Sequence, residues 1–240
     1  MSCRTLPLLF KPTSFKMQFR PSRSIRVALL FTLFLILTIS QAQAALSDMS
    51  RIFRQTPSLQ AFEICFGGGC AEVTNVSLSQ EEWQKVVHLF ETHKPTDATQ
   101  EREIIAQAIG LLETIVGEKI GTAGDIAGTF YDGRLGAQLD CNDEAINSTT
   151  YMRLMLNAKL IKWHAVEDTR TRDFFFTGWP HSTAVIHDIN TAERFAVDSW
   201  FYDNGAPATI VPFATWKSGY RPADSPIDQK RIPVANSPAR

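Results

Sequence analysis

The chain is poor in the residues that build metal and nucleotide sites. Its 240 residues include four cysteines and five histidines, and none of them fall at a Cys-x-x-Cys or His-x-x-x-His spacing. Such spacings are typical of zinc sites, so no metal is expected. The pattern Gly121-Thr-Ala-Gly124 lacks both the lysine and the glycine spacing of a phosphate-binding loop. We therefore expect a protein without a cofactor.

The chain also lacks an apolar run of the length that a membrane-spanning helix needs, which is about 20 residues. The apolar run Val27–Ile39 has 13 residues, follows a flank with three arginines and precedes an Ala-x-Ala pattern. This combination is typical of a secretory signal cleaved near Ala44. Residues 1–44 are therefore predicted to direct the protein to the periplasm or out of the cell, with an uncleaved inner-membrane anchor as the alternative. Met17 is the expected start codon, because it gives a signal of ordinary proportions.

The chain beyond residue 44 also lacks an excess of basic residues. Residues 1–44 hold six of the 24 basic residues and none of the 25 acidic ones, which leaves the remainder with a net charge of −7. A nucleic-acid partner is not expected, because such partners require clustered lysine and arginine. About 196 residues remain, enough for one domain with a sizeable core. We expect a single domain over 46–216, with a helical part at about 79–119 and a core at about 135–216. A proline-rich tail, 217–240, is expected to be extended or disordered.

Hydrophobic periodicity predicts an α+β domain that begins with a packed pair of helices. Ser79 and Glu82 form a capping-box pattern at a helix from Gln80 to about Thr92, and a second helical pattern runs from about Thr99 to Lys119. A third helix is predicted from Cys141 to about Ala158. After this helix the hydrophobic pattern repeats every two residues, as in strands. Strands are predicted at Ala71–Val76, Ile161–Val166, Asp173–Phe176, Ser182–Asp188 and Arg194–Ser199.

The segment 117–136 has six glycines and little periodicity. Long irregular segments in compact domains are often functional. We interpret this one either as a loop that shapes the approach to Cys141 or as a plain connection.

The cysteines divide into a candidate pair and an odd thiol. Cys65 and Cys70 enclose three glycines, which allow a tight turn, and in an oxidising compartment they can form a disulfide. Cys3 would leave with the signal peptide, so Cys141 would remain unpaired. An unpaired thiol in an exported protein is either reactive or a buried, inert core residue.

Three residues in the order cysteine, histidine, aspartate form the candidate catalytic set. Cys141 starts the third helix, where the free amides and the helix dipole favour a thiolate and lower the thiol pKa. His181 opens a strand, and Asp198 lies in the next strand of a predicted hairpin, where its carboxylate can orient the imidazole. His187 lies on the same strand face as His181 and is the alternative base.

Other residues are predicted to support this set. The backbone N–H of Cys141 and the side chain of Gln138 are the expected oxyanion donors. Asp143 favours the helix start, although its charge opposes thiolate formation. Trp179 is interpreted as a platform beside the substrate cleft or as a packing residue. Glu144 is interpreted as a solvated charge on the helix surface.

The pattern around these residues resembles a known superfamily. The run Cys141-x-Asp143-x-Ala145, His181 at a strand start and Val197-Asp198 in the next strand are similar to the transglutaminase-like core, a circularly rearranged relative of papain. The resemblance covers about residues 135–200. It implies a central helix that carries the cysteine and packs on an antiparallel sheet that carries the histidine and aspartate. Members include cross-linking enzymes, peptidases, deamidases and relatives without catalytic activity.

The chain departs from that superfamily at three places. Asp140 precedes the cysteine, where a small residue is usual, and Ser182-Thr183 stand where an aromatic residue normally follows the histidine. Trp179 precedes the histidine instead. The segment Trp-Pro-His-x-Thr-Ala-Val-Ile is similar to one in uncharacterised exported bacterial proteins.

The resemblance implies an exported, cysteine-dependent acyl-transfer enzyme acting through a thioester. The expected substrate is a peptide, a protein or the peptide part of cell wall. The alternatives are a peptide-binding domain that kept the fold without catalysis and a structural module in which the three residues have no shared role.

Overall fold

The computed structural model describes residues 56–130, 137–172 and 180–229. Within these ranges helices pack against antiparallel strands, so the predicted α+β class is confirmed. No helix in these ranges is long and apolar enough to cross a membrane. The predicted signal peptide, residues 1–44, lies outside the described residues.

In the described ranges the elements fall into four groups along the chain: two strands, three helices, five strands and two short helices. The first half contains β1 (Phe62–Phe66), β2 (Glu72–Val76), α1 (Gln80–His93), α2 (Ala98–Ile120) and α3 (Cys141–Asn157). The second half contains β3 (His164–Val166), β4 (Arg170–Arg172), β5 (His181–Asp188), β6 (Arg194–Asp198), β7 (Thr209–Pro212), α4 (Phe213–Lys217) and α5 (Pro226–Gln229).

Helices α1 and α2 form the predicted pair. The capping box is present, because the N–H of Glu82 donates to the Ser79 hydroxyl and the N–H of Ser79 donates to the Glu82 carboxylate. At the start of α2 the Asp97 side chain accepts from the backbone N–H of Gln100. Both helices contribute to the main apolar core, in which the buried side chains include Trp83, Val86, Phe90, Ile105, Ile109 and Leu112. Helix α2 also contacts α3.

The main sheet brings the candidate histidine and aspartate to one edge. It is antiparallel, with the order β3-β5-β6-β7 and with β4 paired to the first half of β5. Ala184 of β5 pairs with Val197 of β6, so the start of β5 lies beside the end of β6. Helix α3 packs along both strands. The register therefore places His181 and Asp198 close together, at the edge of the sheet where α3 begins.

The β1–β2 hairpin has a turn that is held tightly by covalent and polar contacts. Cys65 and Cys70 form a disulfide across it. Residues 67–69 all have positive φ, which glycine adopts without strain. The Asn147 carboxamide of α3 continues the strand pairing, since it accepts from the N–H of Cys65 and donates to its carbonyl, both at 2.8 Å.

The amides of this turn bind two carboxylates at the start of α3. The N–H groups of Gly68 and Cys70 donate to Asp143 at 2.7 and 2.6 Å, and that of Gly69 donates to Asp140 at 2.8 Å. Successive amides that point into one concavity are a known anion-binding arrangement. The hairpin therefore compensates two acidic groups beside Cys141 without supplying a cation.

Several elements have no counterpart in the sequence predictions. Strands β1, β4 and β7 and helices α4 and α5 are not predicted, and β3 begins three residues later than expected. The predicted strand Asp173–Phe176 lies outside the described residues. Each missed strand has at most five residues, a length over which periodicity is a weak signal.

The beginning of the proline-rich tail is packed rather than extended. Arg172 donates to the carbonyl of Tyr220, and Ser225 donates to the carbonyl of Phe201 at 2.7 Å. Ile227 is buried. The structure differs from the prediction because these side chains give the segment its own contacts between the prolines. Residues 230–240 lie outside the described ranges.

Replacing both Cys65 and Cys70 with serine is expected to lower the free energy of unfolding by about 2 kcal/mol, because the unfolded chain is then no longer restricted by the crosslink. Urea denaturation of the oxidised protein and of the variant measures the difference. A reducing agent should destabilise the wild type and leave the variant unchanged. Equal denaturation midpoints would instead show that contacts with α3 hold the turn by themselves.

Candidate active site

Cys141 is the first residue of α3 and is enclosed by apolar side chains. Asp140 caps the helix by accepting from the backbone N–H groups of Asn142 and Asp143. The backbone N–H of Cys141 has no acceptor in the described part of the chain. Its side chain is 7% exposed. The surrounding cluster comprises Ala127, Ala196, Trp200, Phe201, Trp216 and Ile227.

Burial raises the pKa of the Cys141 thiol to about 12. Removing the sulfur from water disfavours the thiolate, and the carboxylates of Asp140, Asp198 and Asp143 raise the pKa further. The backbone N–H of Ser182 donates to the sulfur and acts in the opposite direction. The sequence prediction of a lowered pKa is therefore wrong, because desolvation outweighs the effect of the helix N-terminus.

His181 and Asp198 form a buried hydrogen-bonded pair. Nε2 of His181 donates to Oδ2 of Asp198 at 2.7 Å, and the Trp216 indole N–H donates to the same oxygen at 2.7 Å. Nδ1 of His181 is buried and has no partner among the described residues. Since the carboxylate fixes the proton on Nε2 in the neutral ring, Nδ1 is the nitrogen free to accept one. The predictions did not include Trp216, because nothing in its local sequence marks it.

Cys141 and His181 share one cluster without a hydrogen bond between their side chains. No hydrogen bond joins the sulfur to the imidazole in the described ranges. The sulfur accepts instead from the N–H of Ser182, the residue after His181. Three aromatic rings of the cluster around Cys141 also surround the His181 imidazole. The ring centroids of Trp200, Phe201 and Trp216 lie 4.6, 5.4 and 5.7 Å from the imidazole centroid. The fold thus gathers the three predicted residues around one set of aromatic side chains.

Gln138 is not positioned as predicted. Its Oε1 accepts from the backbone N–H of Ile126 and from the Thr129 hydroxyl, both at 3.1 Å. Its Nε2 donates to the carbonyl of Gly124 at 3.0 Å. The carboxamide therefore anchors the loop 121–130 and does not serve as an oxyanion donor for Cys141.

The remaining predicted residues have separate places. Asp143 holds the hairpin turn, and burial raises the pKa of its carboxyl to about 7. The alternative base, His187, is paired with Glu167 at 3.1 Å and remains partly exposed. Trp179 lies outside the described residues. In the described ranges no three His, Cys, Asp or Glu side chains are arranged to hold a metal ion.

Two segments cover the cluster around Cys141. In the loop 121–130, the N–H of Gly128 donates to the carbonyl of Trp200, and the Trp200 indole donates to the carbonyl of Thr129 at 2.8 Å. A Cβ at Gly128 would lie 2.5 Å from Ile227, so the loop and α5 are in close contact there. The interpretation of this loop as part of the approach to Cys141 agrees with its packing, as far as residue 130.

Arg172 is a buried cation beside the site that the sequence did not single out. Its guanidinium donates to the carbonyls of Trp216 and Tyr220 at 2.7 and 3.2 Å and lies over the Trp216 ring. Burial lowers the pKa of Arg172, while Asp198 and Cys141 act to raise it. The positive charge of Arg172 is therefore felt by both groups.

Glu144 is buried, so its interpretation as a surface charge is wrong. It accepts from the Ser199 hydroxyl and lies against Glu113, and burial raises the pKa of both carboxyls, that of Glu113 to about 7. Oε1 of Glu113 is buried and has no hydrogen-bond partner among the described residues. A proton held on one carboxyl gives the pair a hydrogen bond. Burial also raises the pKa of the nearby Asp125 to about 8.

These raised pKa values predict how stability depends on pH. A carboxyl whose pKa is higher in the folded state contributes stability below its unfolded value, and that contribution is lost as the pH rises through the folded value. The free energy of unfolding is therefore expected to fall between pH 5 and pH 8. Glu113→Gln should reduce this slope and add about 1 kcal/mol at pH 8, because the amide is a permanent donor. Urea denaturation at both pH values measures the effect.

The matched control is Glu118→Gln, an exposed glutamate on the same helix. It should reproduce the pH slope of the wild type. If Glu113→Gln did the same, the buried carboxyl pair would not be the source of the pH dependence.

Ile227→Ala is expected to increase the rate at which iodoacetamide modifies Cys141 several-fold, because it removes a side chain that covers the cluster. Mass spectrometry of the modified peptide over time measures the rate. Ile189→Ala, at a residue 55% exposed and outside the cluster, is the control. Identical rates in the two variants would show that α5 does not limit access to the sulfur.

No protein-family model matches the chain, and comparison with curated proteins and with solved structures also finds no match. The resemblance to the transglutaminase-like core therefore stays a prediction.

Proposed function

We propose that the protein is an exported, thiol-dependent acyl-transfer enzyme with a transglutaminase-like or papain-like core. The observation that carries the proposal is the His181–Asp198 pair. One ring nitrogen is bound to the carboxylate at 2.7 Å, while the other is buried without a partner among the described residues. A buried polar atom without a partner is unfavourable and is often explained by a functional role. Here it lies in the aromatic cluster that also encloses the Cys141 thiol.

The proposed reaction begins from a neutral thiol. Since burial raises the pKa of Cys141 to about 12, a preformed thiolate is not the resting state. Nδ1 of His181 takes the thiol proton as the sulfur bonds to a substrate carbonyl carbon. The protonated ring then gives that proton to the leaving amine or alcohol, and a thioester remains on Cys141. Water or an amine attacks the thioester, passes a proton to His181, and the thiol is restored.

Buried polar groups around the site support this transfer. Asp198 stabilises the imidazolium that forms on His181, and Trp216 holds the carboxylate in place. Arg172 interacts electrostatically with Cys141, so its charge stabilises negative charge that develops on the sulfur. In surroundings from which water is excluded, such interactions are stronger than in solvent.

The proposed substrates are amides of peptides, proteins or cell-wall peptide, met in the periplasm or outside the cell. Water as acceptor gives a peptidase or amidase reaction, and an amine gives cross-linking. This assignment follows from the thiol chemistry and from the predicted signal peptide.

A second candidate is a peptide-binding domain that has lost catalysis. The observation that favours it is the burial of Cys141, with a raised thiol pKa and no hydrogen bond to His181. Reactivity of the thiol toward an acylating reagent distinguishes the two functions.

The full chain with Cys3→Ser is expected to form an acetyl thioester at Cys141 with p-nitrophenyl acetate, detected by intact mass and peptide mapping. Cys141→Ala should abolish this adduct. His181→Gln should lower the acylation rate by about 100-fold or more, because the general base is removed.

His187→Gln is the matched control, since His187 pairs with Glu167 outside the site. It should keep the wild-type rate. An adduct that persists in Cys141→Ala, or equal losses in the two histidine variants, would rule out the proposed mechanism.

A further inference from the structure

We infer that Asn142 is a catalytic residue whose side-chain Nδ2 donates a hydrogen bond to the oxyanion formed when Cys141 attacks a carbonyl. The inference rests on the proposed thiol chemistry. It fills the position for which the sequence suggested Gln138, whose carboxamide is bound to the loop 121–130.

A chain of hydroxyl groups fixes the orientation of the Asn142 carboxamide. Oδ1 of Asn142 accepts from the Ser182 hydroxyl at 2.7 Å, and the Ser182 oxygen is 2.8 Å from the Thr171 hydroxyl. Since Ser182 gives its single proton to Asn142, Thr171 is the donor to Ser182. The amide oxygen is thus directed to β5. Nδ2, on the other side of the half-buried carboxamide, has no partner among the described residues.

Ser182 also connects Asn142 to the reacting sulfur. Its hydroxyl binds the carboxamide, while its backbone N–H donates to the Cys141 sulfur. Both contacts belong to one residue, so Ser182 links the carboxamide to the sulfur. The backbone of Asn142 is fixed as well, because its N–H donates to Asp140 at 2.9 Å.

Two donors are then available for the oxyanion. One is the backbone N–H of Cys141, which has no acceptor in the described part of the chain. The other is Nδ2 of Asn142. During attack the sulfur–carbon bond forms and the carbonyl electron pair moves to the oxygen, whose charge these donors stabilise. When the charge returns, the leaving group departs and the thioester remains. Removing one such donor lowers acylation rates by about 100-fold or more.

Comparing acylation with alkylation tests the inference in the full chain with Cys3→Ser. Acylation of Cys141 by p-nitrophenyl acetate passes through an oxyanion, whereas alkylation by iodoacetamide does not. Asn142→Ala is expected to lower the acylation rate by about 100-fold and to leave the alkylation rate within about twofold of the wild type. Ser182→Ala keeps the amide on the sulfur and releases the carboxamide, so it should lower acylation by about 10-fold and spare alkylation.

The control is Asn157→Ala, at the opposite end of α3, which should change neither rate. Wild-type acylation rates in Asn142→Ala would overturn the role of Asn142 and leave the thiol mechanism intact. Equal losses of acylation and alkylation would also overturn it, because Asn142 would then act on the thiol itself. Absence of acylation in the wild type would overturn the proposed function and this inference together.

Discussion

The arrangement of the site depends on how two carboxylates are stabilised at the start of α3. Asp140 and Asp143 are both buried, and no cation pairs with either of them in the described ranges. Backbone amides of the hairpin turn, residues 68–70, take the place of a cation. Because the turn is fixed by the disulfide and by positive φ, the hairpin holds the first turn of α3 in place. That turn of α3 carries Cys141 and Asn142, and the helix packs on β5, the strand that carries His181.

The same burial determines the chemistry of the site. Desolvation raises the pKa of the Cys141 thiol more than the helix start and the Ser182 amide lower it. A thiol in such surroundings needs a base that takes its proton at the moment of attack, and the free nitrogen of His181 supplies one. The buried Glu113–Glu144 pair shows the same principle, because a retained proton replaces ionisation there. The region around the start of α3 therefore contains groups whose neutral forms are favoured.

Local signals predicted local structure well. The capping box at Ser79 and Glu82, the length of α2 and the start of α3 at Cys141 were all predictable, because caps and helical periodicity depend on neighbouring residues. The β5–β6 hairpin was predictable from its alternation. Strand β1 was not, because it has only five residues, and the Asn147 side chain that completes its pairing comes from 82 residues away. Local signals also could not show whether Gln138 or Asn142 is placed to act as an oxyanion donor, since the partners of each side chain lie on other elements.

The sequence by itself determined the start of α3, the β5–β6 hairpin and the identity of a thiol, an imidazole and a carboxylate in that order. These features follow from residue type and short-range spacing. Only the tertiary structure decided that the sulfur is desolvated, that Trp216 and Arg172 surround the histidine–aspartate pair, and that Glu144 lies inside. The physical reason is that burial and electrostatic fields are sums over groups brought together from the whole chain. A linear pattern contains no information about those sums until the chain has folded.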